Sequence, residues 1–377
     1  MPVQFRYATC HEYPAISQFL NDYWANGHIY CRNRALFEWT FHRPGHWPEE
    51  QYSFALAEDG GDLVGILGGI PFRFNHFGKS SSGVWIANYV IRPDHRRGPT
   101  ALQLLGMFRQ PHFYACVASG INPATSAIYR VMRGEVLPYI PRSVVVLPGG
   151  SERMVNLLAI AQPEWPAERA RSLAAGFGLD AIPDETIVHG ATVPESWDTS
   201  DWPAIAAATV GAARDRDYLT WRYLAHPVFE YRIITVPDGS RTGLAVWRLE
   251  TIRRQTPAGH EDVDRIGRLV EFLPASRDNA RALATVFLQQ LCGAGAFGAD
   301  FYGYHGETRA WLEESGFRPA AAHPDGDAVP SRFQPLDGKG GGILSAMFLG
   351  ERLPACDGSA ACPWYWTKSD SDQDRPN

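Results

Sequence analysis

No run in this 377-residue sequence approaches the ~18 consecutive apolar residues of a membrane span. Its opening, MPVQFRYATCHEYPAISQFL, lacks the basic start and apolar stretch of a secretory signal. A cytoplasmic chain with no membrane span is expected. Basic charge is short too: 35 Lys and Arg against 41 Asp and Glu give a net charge of −6, so no global cationic footprint for nucleic acid exists. The six cysteines are scattered. Only Cys356 and Cys362, in CDGSAAC, lie close together, and no second pair or histidine cluster completes a zinc site. Reduced thiols and no metal are expected.

What is present points to folded domains. Hydrophobic residues make up 45% and charged residues 20%, with twelve tryptophans and 28 prolines, a composition of aromatic packing and many loops. The length exceeds one ordinary core and predicts two domains of about 150–190 residues.

A repeat supports that division. RNRALFEWTFHRP (32–44) and RDRDYLTWRYLAHP (214–227) align with Arg32 on Arg214, Arg34 on Arg216, Trp39 on Trp221 and Phe41 on Tyr223, all at an offset of 182. The offset returns at Tyr129/Trp311 and Gly134/Gly316, and drifts to 179 at the turns Asp59-Gly60 and Asp238-Gly239. Each half reads as helices, a hairpin, a buried strand, a helix, a strand and a helix. The fold class is α/β, two tandem copies of one domain, each a mixed sheet flanked by helices. Residues 1–148 form the first copy, 149–200 a linker or insert, and 201–377 the second copy with a polar tail. Arginines shared by both copies are expected to be structural. The tail, WYWTKSDSDQDRPN, reads as a last strand followed by a stretch that composition would leave solvated. The alternative is that Asp372, Asp374 and Arg375 fold over a site and bind a polar acceptor.

A buried strand ending in a basic-glycine turn into a helix, VIRPDHRRGPTALQLL (90–105), then a strand and the helix of NPATSAIYRVMRGE (122–135), resembles the GNAT acyltransferase superfamily. The stretch VIRPDHRRGPTALQLL (90–105) is similar to the family's Val-x-Pro-x-x-Arg-Gly-x-Gly-x-Gly/Ala…Leu-Leu. NPATSAIYRVMRGE (122–135) and AWLEESGFRP (310–319) are similar to its closing helix. The resemblance implies acetyl-CoA or another acyl-CoA as co-substrate. It places Arg96, Arg97, Gly98, Thr100 and Ala101 at the pyrophosphate, on a strand-to-helix turn whose unpaired N–H groups favour an anion. Backbone at Tyr89, Val90 and Ile91 would receive the pantetheine arm through a splay. Asn122 is either a helix cap or a neighbour of that arm. Tyr129 would be the general acid protonating the departing thiolate. For a base, His76, His112 and Asn88 are candidates.

One departure weakens the turn: the family's central glycine falls on Pro99, which has no N–H. The second half departs further, with FLPASRDNARALATV glycine-free at its turn and Trp311 in place of Tyr129. The first half is therefore the expected acyl-CoA site and the second a degenerate partner. The expected activity is acyl transfer to a small-molecule primary amine, with an amino sugar or sugar nucleotide of surface polysaccharide biosynthesis the favoured acceptor. Two alternatives are an aminoacyl-tRNA-dependent transferase of the peptidoglycan-bridge type, which the net charge disfavours, and a non-catalytic binding protein.

Overall fold

The computed structural model describes residues 2–109, 111–255, 261–333, 336 and 342–376. The strands of the first half are β1 (Gln4–Thr9), β2 (Gln51–Asp59), β3 (Asp62–His76), β4 (Lys79–Ile91), β5 (Ala115–Ser119), β6 (Glu135–Val136) and β7 (Arg142–Val146). Those of the second are β8 (Val210–Ala212), β9 (Arg232–Asp238), β10 (Arg241–Gln255), β11 (Glu261–Leu273), β12 (Gly298–Tyr302), β13 (Arg318–Pro319), β14 (Ser345–Leu349) and β15 (Trp364–Tyr365). They form two sheets. The first runs β1-β2-β3-β4-β5-β14-β6, with β8 joined to β3 and β15 to β8; the second runs β13-β7-β12-β11-β10-β9.

The halves exchange strands: the first gives β7 to the second sheet, and the second gives β8, β14 and β15 to the first. β7 lies antiparallel between β12 and β13, while β14 lies antiparallel between β5 and β6. The connection out of β6, Leu-Pro-Tyr-Ile-Pro (137–141), explains why β7 leaves. Each proline fixes its own φ and pushes the preceding residue towards extended backbone, so the segment cannot fold back on its own sheet. It runs instead beside the incoming chain, with Leu137 N–H donating to Ser345 and Ile140 N–H to Ile343. The halves are thus bound by backbone ladders, which surface mutations cannot undo.

The helix Arg34–Phe41 shows how local sequence builds the core. Asn33 caps it, its side chain accepting the Leu36 N–H at 2.9 Å. Leu36, Phe37, Thr40 and Phe41 form its buried stripe, and Phe37 and Phe41 pack on Tyr52 and Phe54 of β2 with centroids 4.8–5.7 Å apart. Burying one such ring stabilises the fold by roughly 2–3 kcal/mol.

Two expectations change. The linker at 149–200 contains helices Ser151–Ala161 and Ala167–Gly176, whose Met154, Leu157, Leu158, Leu173 and Phe177 pack on Val144, Val146 and Ile266 of the second sheet. That stretch covers a sheet face. The tail is also not solvated: Ser369, Asp370, Ser371, Asp372 and Asp374 are buried, because their polar groups find partners inside the protein. Among the described residues, no helix is long and apolar enough to cross a membrane.

Candidate functional site

β4 and β5 pair in parallel from Gly83/Ala115 to Ile86/Ala118, and there the ladder stops although β4 continues to Ile91. A bulge turns β4 away. Ile66 faces Val90 and Gly68 faces Ala87, so Asn88 and Tyr89 together oppose the single residue Leu67. Asn88 carries the conformational cost, with φ at +53°, a region that asparagine tolerates better than most side chains. Its amide Nδ2 is buried without a hydrogen-bond partner among the described residues. Just past the end of the facing strand, Gly120 has φ +73°, and a Cβ there would collide with the Gln373 side chain.

Between the diverging strands lies a cavity of about 400 Å³. Ala87, Asn88 and Tyr89 form one wall and Ser119, Gly120 and Asn122 another; Tyr129 and the tail residues Asp372, Gln373 and Arg375 complete it. The splay expected at Tyr89–Ile91 thus begins at Ala87, two residues earlier. The tail is tied to β5 by Gln373, whose Nε2 donates to the Ser119 carbonyl at 3.0 Å.

The structure brings some of the sequence candidates together. Tyr129, on the short helix Ser126–Val131, is buried, and its hydroxyl has no hydrogen-bond partner among the described residues. Burial pushes its pKa above the ordinary tyrosine value, which keeps the proton on. Tyr89 lines the cavity and donates its hydroxyl to the Ala101 carbonyl. Val90 and Ile91 turn their side chains into the core and leave only backbone to offer. Asn122 lines the cavity while capping, its Oδ1 accepting the Ala124 N–H at 2.9 Å. Asp372 is ion-paired with Arg375.

Other candidates sit apart. Asp374 does not line this cavity: its carboxylate takes the Arg248 guanidinium at 2.7 Å and the Tyr231 hydroxyl at 2.8 Å. Arg248 holds it well below the ordinary carboxylate range. His76 pairs with Glu351 at 3.0 Å, and His112 is exposed on a loop. Neither lines the cavity. Of the three base candidates only Asn88 lines the cavity, and a neutral amide cannot take up a proton there, so its part is that of a donor; the residues the site adds are Gln373 and Arg332.

The turn of residues 92–99 follows directly on β4, and none of its residues is among those lining the cavity. Arg96, Arg97, Gly98 and Pro99 are exposed. Arg96 Nε donates to the Ile91 carbonyl at 3.0 Å, and Arg97 has no ion pair among the described residues. Pro99 stands at the cap of the seven-residue helix Thr100–Gly106, where it supplies no N–H. Thr100 is buried and Ala101 spends its carbonyl on Tyr89. A Cβ on Gly98 would meet nothing nearer than 3.8 Å, so packing does not demand glycine there and the outer face of the turn is left bare. Two guanidinium groups beside such a face fit a phosphate-bearing arm.

The same places in the second half are filled. β11 and β12 pair only from Gly267/Ala299 to Leu269/Phe301. Beyond that point the Tyr365 hydroxyl accepts the Phe272 N–H at 2.9 Å and donates to the Phe272 carbonyl at 3.2 Å. Glu271 is fully buried against Arg214 (2.8 Å), Tyr223 (2.5 Å) and Ser369 (3.2 Å). At the helix Arg277–Gly293, Ser276 caps Asn279, and Arg277 is engaged by Glu314 at 2.7 Å. The second opening is plugged by the chain itself.

No family model matches the sequence, and no curated protein does. Solved structures match along nearly the whole chain. A GCN5-related N-acetyltransferase from Anabaena variabilis aligns with TM-score 0.56 at 11% identity, covering 93% of this chain and 73% of that one. Saccharomyces cerevisiae N-myristoyltransferase with bound myristoyl-CoA aligns with TM-score 0.53 at 12% identity, covering 94% and 85%. A GCN5-related N-acetyltransferase from Kribbella flavida gives 0.50 at 11%, covering 92% and 72%. At such identities the likeness is one of architecture, and on that ground this chain has a GNAT-like fold built from two mixed sheets flanked by helices.

Proposed function

We propose that the chain is an acyl-CoA-dependent N-acyltransferase whose active site is the β4–β5 opening of the first half. The observation that carries this reading is the contrast between halves: the opening is a cavity in the first and is sealed by Tyr365 in the second. The fold neighbour with myristoyl-CoA bound supports an acyl-CoA donor.

Acyl-CoA supplies the activated acyl group. The chain's own residues do the rest. The β4 edge at Tyr89–Ile91, released from β5, offers backbone groups to an extended arm, and Arg96, Arg97 and Gly98 receive its phosphates. Backbone N–H groups at that edge polarise the thioester carbonyl. Tyr129, kept protonated by burial, delivers a proton to the leaving sulfur. Asp372, at the tail wall, holds the acceptor's ammonium, which gives up a proton to solvent so that the neutral nitrogen forms the amide bond as the C–S bond breaks; Asn88, lining the same cavity, is a free amide donor. The acceptor is a small primary amine, and we favour an amino sugar or sugar nucleotide of surface polysaccharide biosynthesis.

The test is calorimetric titration with acetyl-CoA of the native protein and of Arg96→Ala/Arg97→Ala, followed by thiol-release assays with amino sugars. Binding that weakens about tenfold or more in the variant supports the assignment. No binding of acetyl-CoA or longer acyl-CoAs by the native protein would overturn it.

A further inference from the structure

A second, narrower cavity adjoins the first. Arg332, Gln373 and Arg375 line both. Its walls carry five basic side chains against the carboxylates of Glu250 and Asp374. Most of these charges cancel in place. Asp374 is held by Arg248 at 2.7 Å, Glu250 bridges Arg248 at 3.1 Å and Arg268 at 2.5 Å, and Arg375 pairs with Asp372.

Two cations are left over. Lys368 is only 8% exposed. Its Nζ donates to the Ser331 carbonyl at 2.8 Å and faces the Tyr302 ring at 4.8 Å, and it forms no ion pair among the described residues. The nearby Asp300 is already taken by Arg142 at 2.7 Å and Arg268 at 3.3 Å. Arg332 is exposed and likewise has no ion pair or hydrogen bond among the described residues. Burying an ammonium without its own counter-ion is strongly unfavourable; Asp300 and Asp374 attract it from a distance, but both are already paired with arginines. Burial and the neighbouring Arg268 push Lys368 towards neutrality; a bound anion would return its charge.

We infer that this second cavity is an anion subsite for the acceptor, so that the amine substrate also carries a phosphate or carboxylate group. Lys368 and Arg332 are its ligands, with Arg375 on the shared wall beside them. The amine part of this statement rests on the proposed acyltransfer; the anion part does not.

The two are separated by a probe that cannot be acylated. Glucose 6-phosphate, glucuronate and glucose are titrated calorimetrically into the native protein, and acetyl-CoA is titrated independently to judge the acyltransfer reading. At least one of the two anionic sugars should bind roughly tenfold or more tightly than glucose, the tighter one naming the group. That binding should survive in Arg96→Ala/Arg97→Ala and weaken about tenfold in Lys368→Met and in Arg332→Gln. Arg332 is exposed, so its variant keeps the test open if Lys368→Met fails to fold. Anionic sugars that bind no better than glucose would overturn the subsite. So would binding that both Lys368→Met and Arg332→Gln leave unchanged, or binding that disappears with Arg96 and Arg97.

Discussion

Trp39 and Trp221, equivalent positions of the two copies, meet each other. Their rings stack with centroids 4.9 Å apart, and each indole N–H donates to the other's backbone carbonyl, at 3.0 and 3.1 Å. Two helical segments that align in the sequence thus pack on each other through reciprocal contacts. The Arg43 guanidinium lies 3.7 Å from the Trp221 ring centre and locks the pair from one side. Trp39→Phe and Trp221→Phe should each cost about 1 kcal/mol or more, since each removes a donor from a half-buried carbonyl. The double variant should cost less than the sum, with a coupling of roughly 0.5–1.5 kcal/mol. Urea unfolding of the four proteins measures this; strict additivity would mean that the contact carries no energy.

Tyr129 tests the proposed chemistry. Tyr129→Phe retains the ring and its packing near Phe348, centroids 6.0 Å apart, and removes only the hydroxyl. If that hydroxyl is the acid, kcat should fall by about 10²-fold or more while acetyl-CoA affinity is preserved. Burial raises its pKa above the ordinary value, so the native kcat should not decline through pH ~10, where a solvated tyrosine ionises. An unchanged kcat in the variant would remove Tyr129 from the mechanism.

The two mixed sheets and the order of elements were legible because hydrophobic periodicity and turn residues are local signals. The strand exchange was not. Nothing in RSVVV or SAMFL says which sheet will accept it, since pairing across some two hundred residues is set by tertiary packing. The same limit divides the tail. Asp372, Asp374 and Arg375 stand within four residues, yet Asp372 and Arg375 face the cavity while Asp374 points to Arg248. Asn88 shows the opposite case. An amide in a buried strand is a sequence anomaly, and the anomaly marks the bulge.

Asp374 therefore predicts a stability effect. Replacing it with alanine leaves Arg248 with Glu250 as its remaining ion-pair partner and removes the acceptor for the Tyr231 hydroxyl. Breaking such a buried pair costs roughly 3–5 kcal/mol. Asp374→Ala should show a large drop in Tm, whereas its folded fraction should bind acetyl-CoA as the native protein does. A stable variant that had lost only acceptor affinity would return Asp374 to substrate binding.

Three histidines set a pH limit on the fold. Burial depresses His28 to about 4, His226 to about 3 and His305 to about 4. Each is neutral when folded, so below pH ~6.5 the unfolded chain binds protons that the folded chain refuses. Their contribution is complete above that value and is lost as the pH falls towards the folded pKa values. The loss is roughly 1.4 kcal/mol per pH unit for each histidine. His226 is the clearest case. Its Nδ1 accepts the N–H groups of Val228 at 3.1 Å and Phe229 at 2.9 Å, and its ring lies edge-on to Trp39 at 4.5 Å. A proton on Nδ1 would break both bonds. His226→Asn keeps an acceptor there but cannot titrate, so its Tm should fall less steeply between pH 6.5 and 4.5 than that of the native protein. Parallel Tm–pH curves would show that His226 is not among the groups that limit the fold in acid.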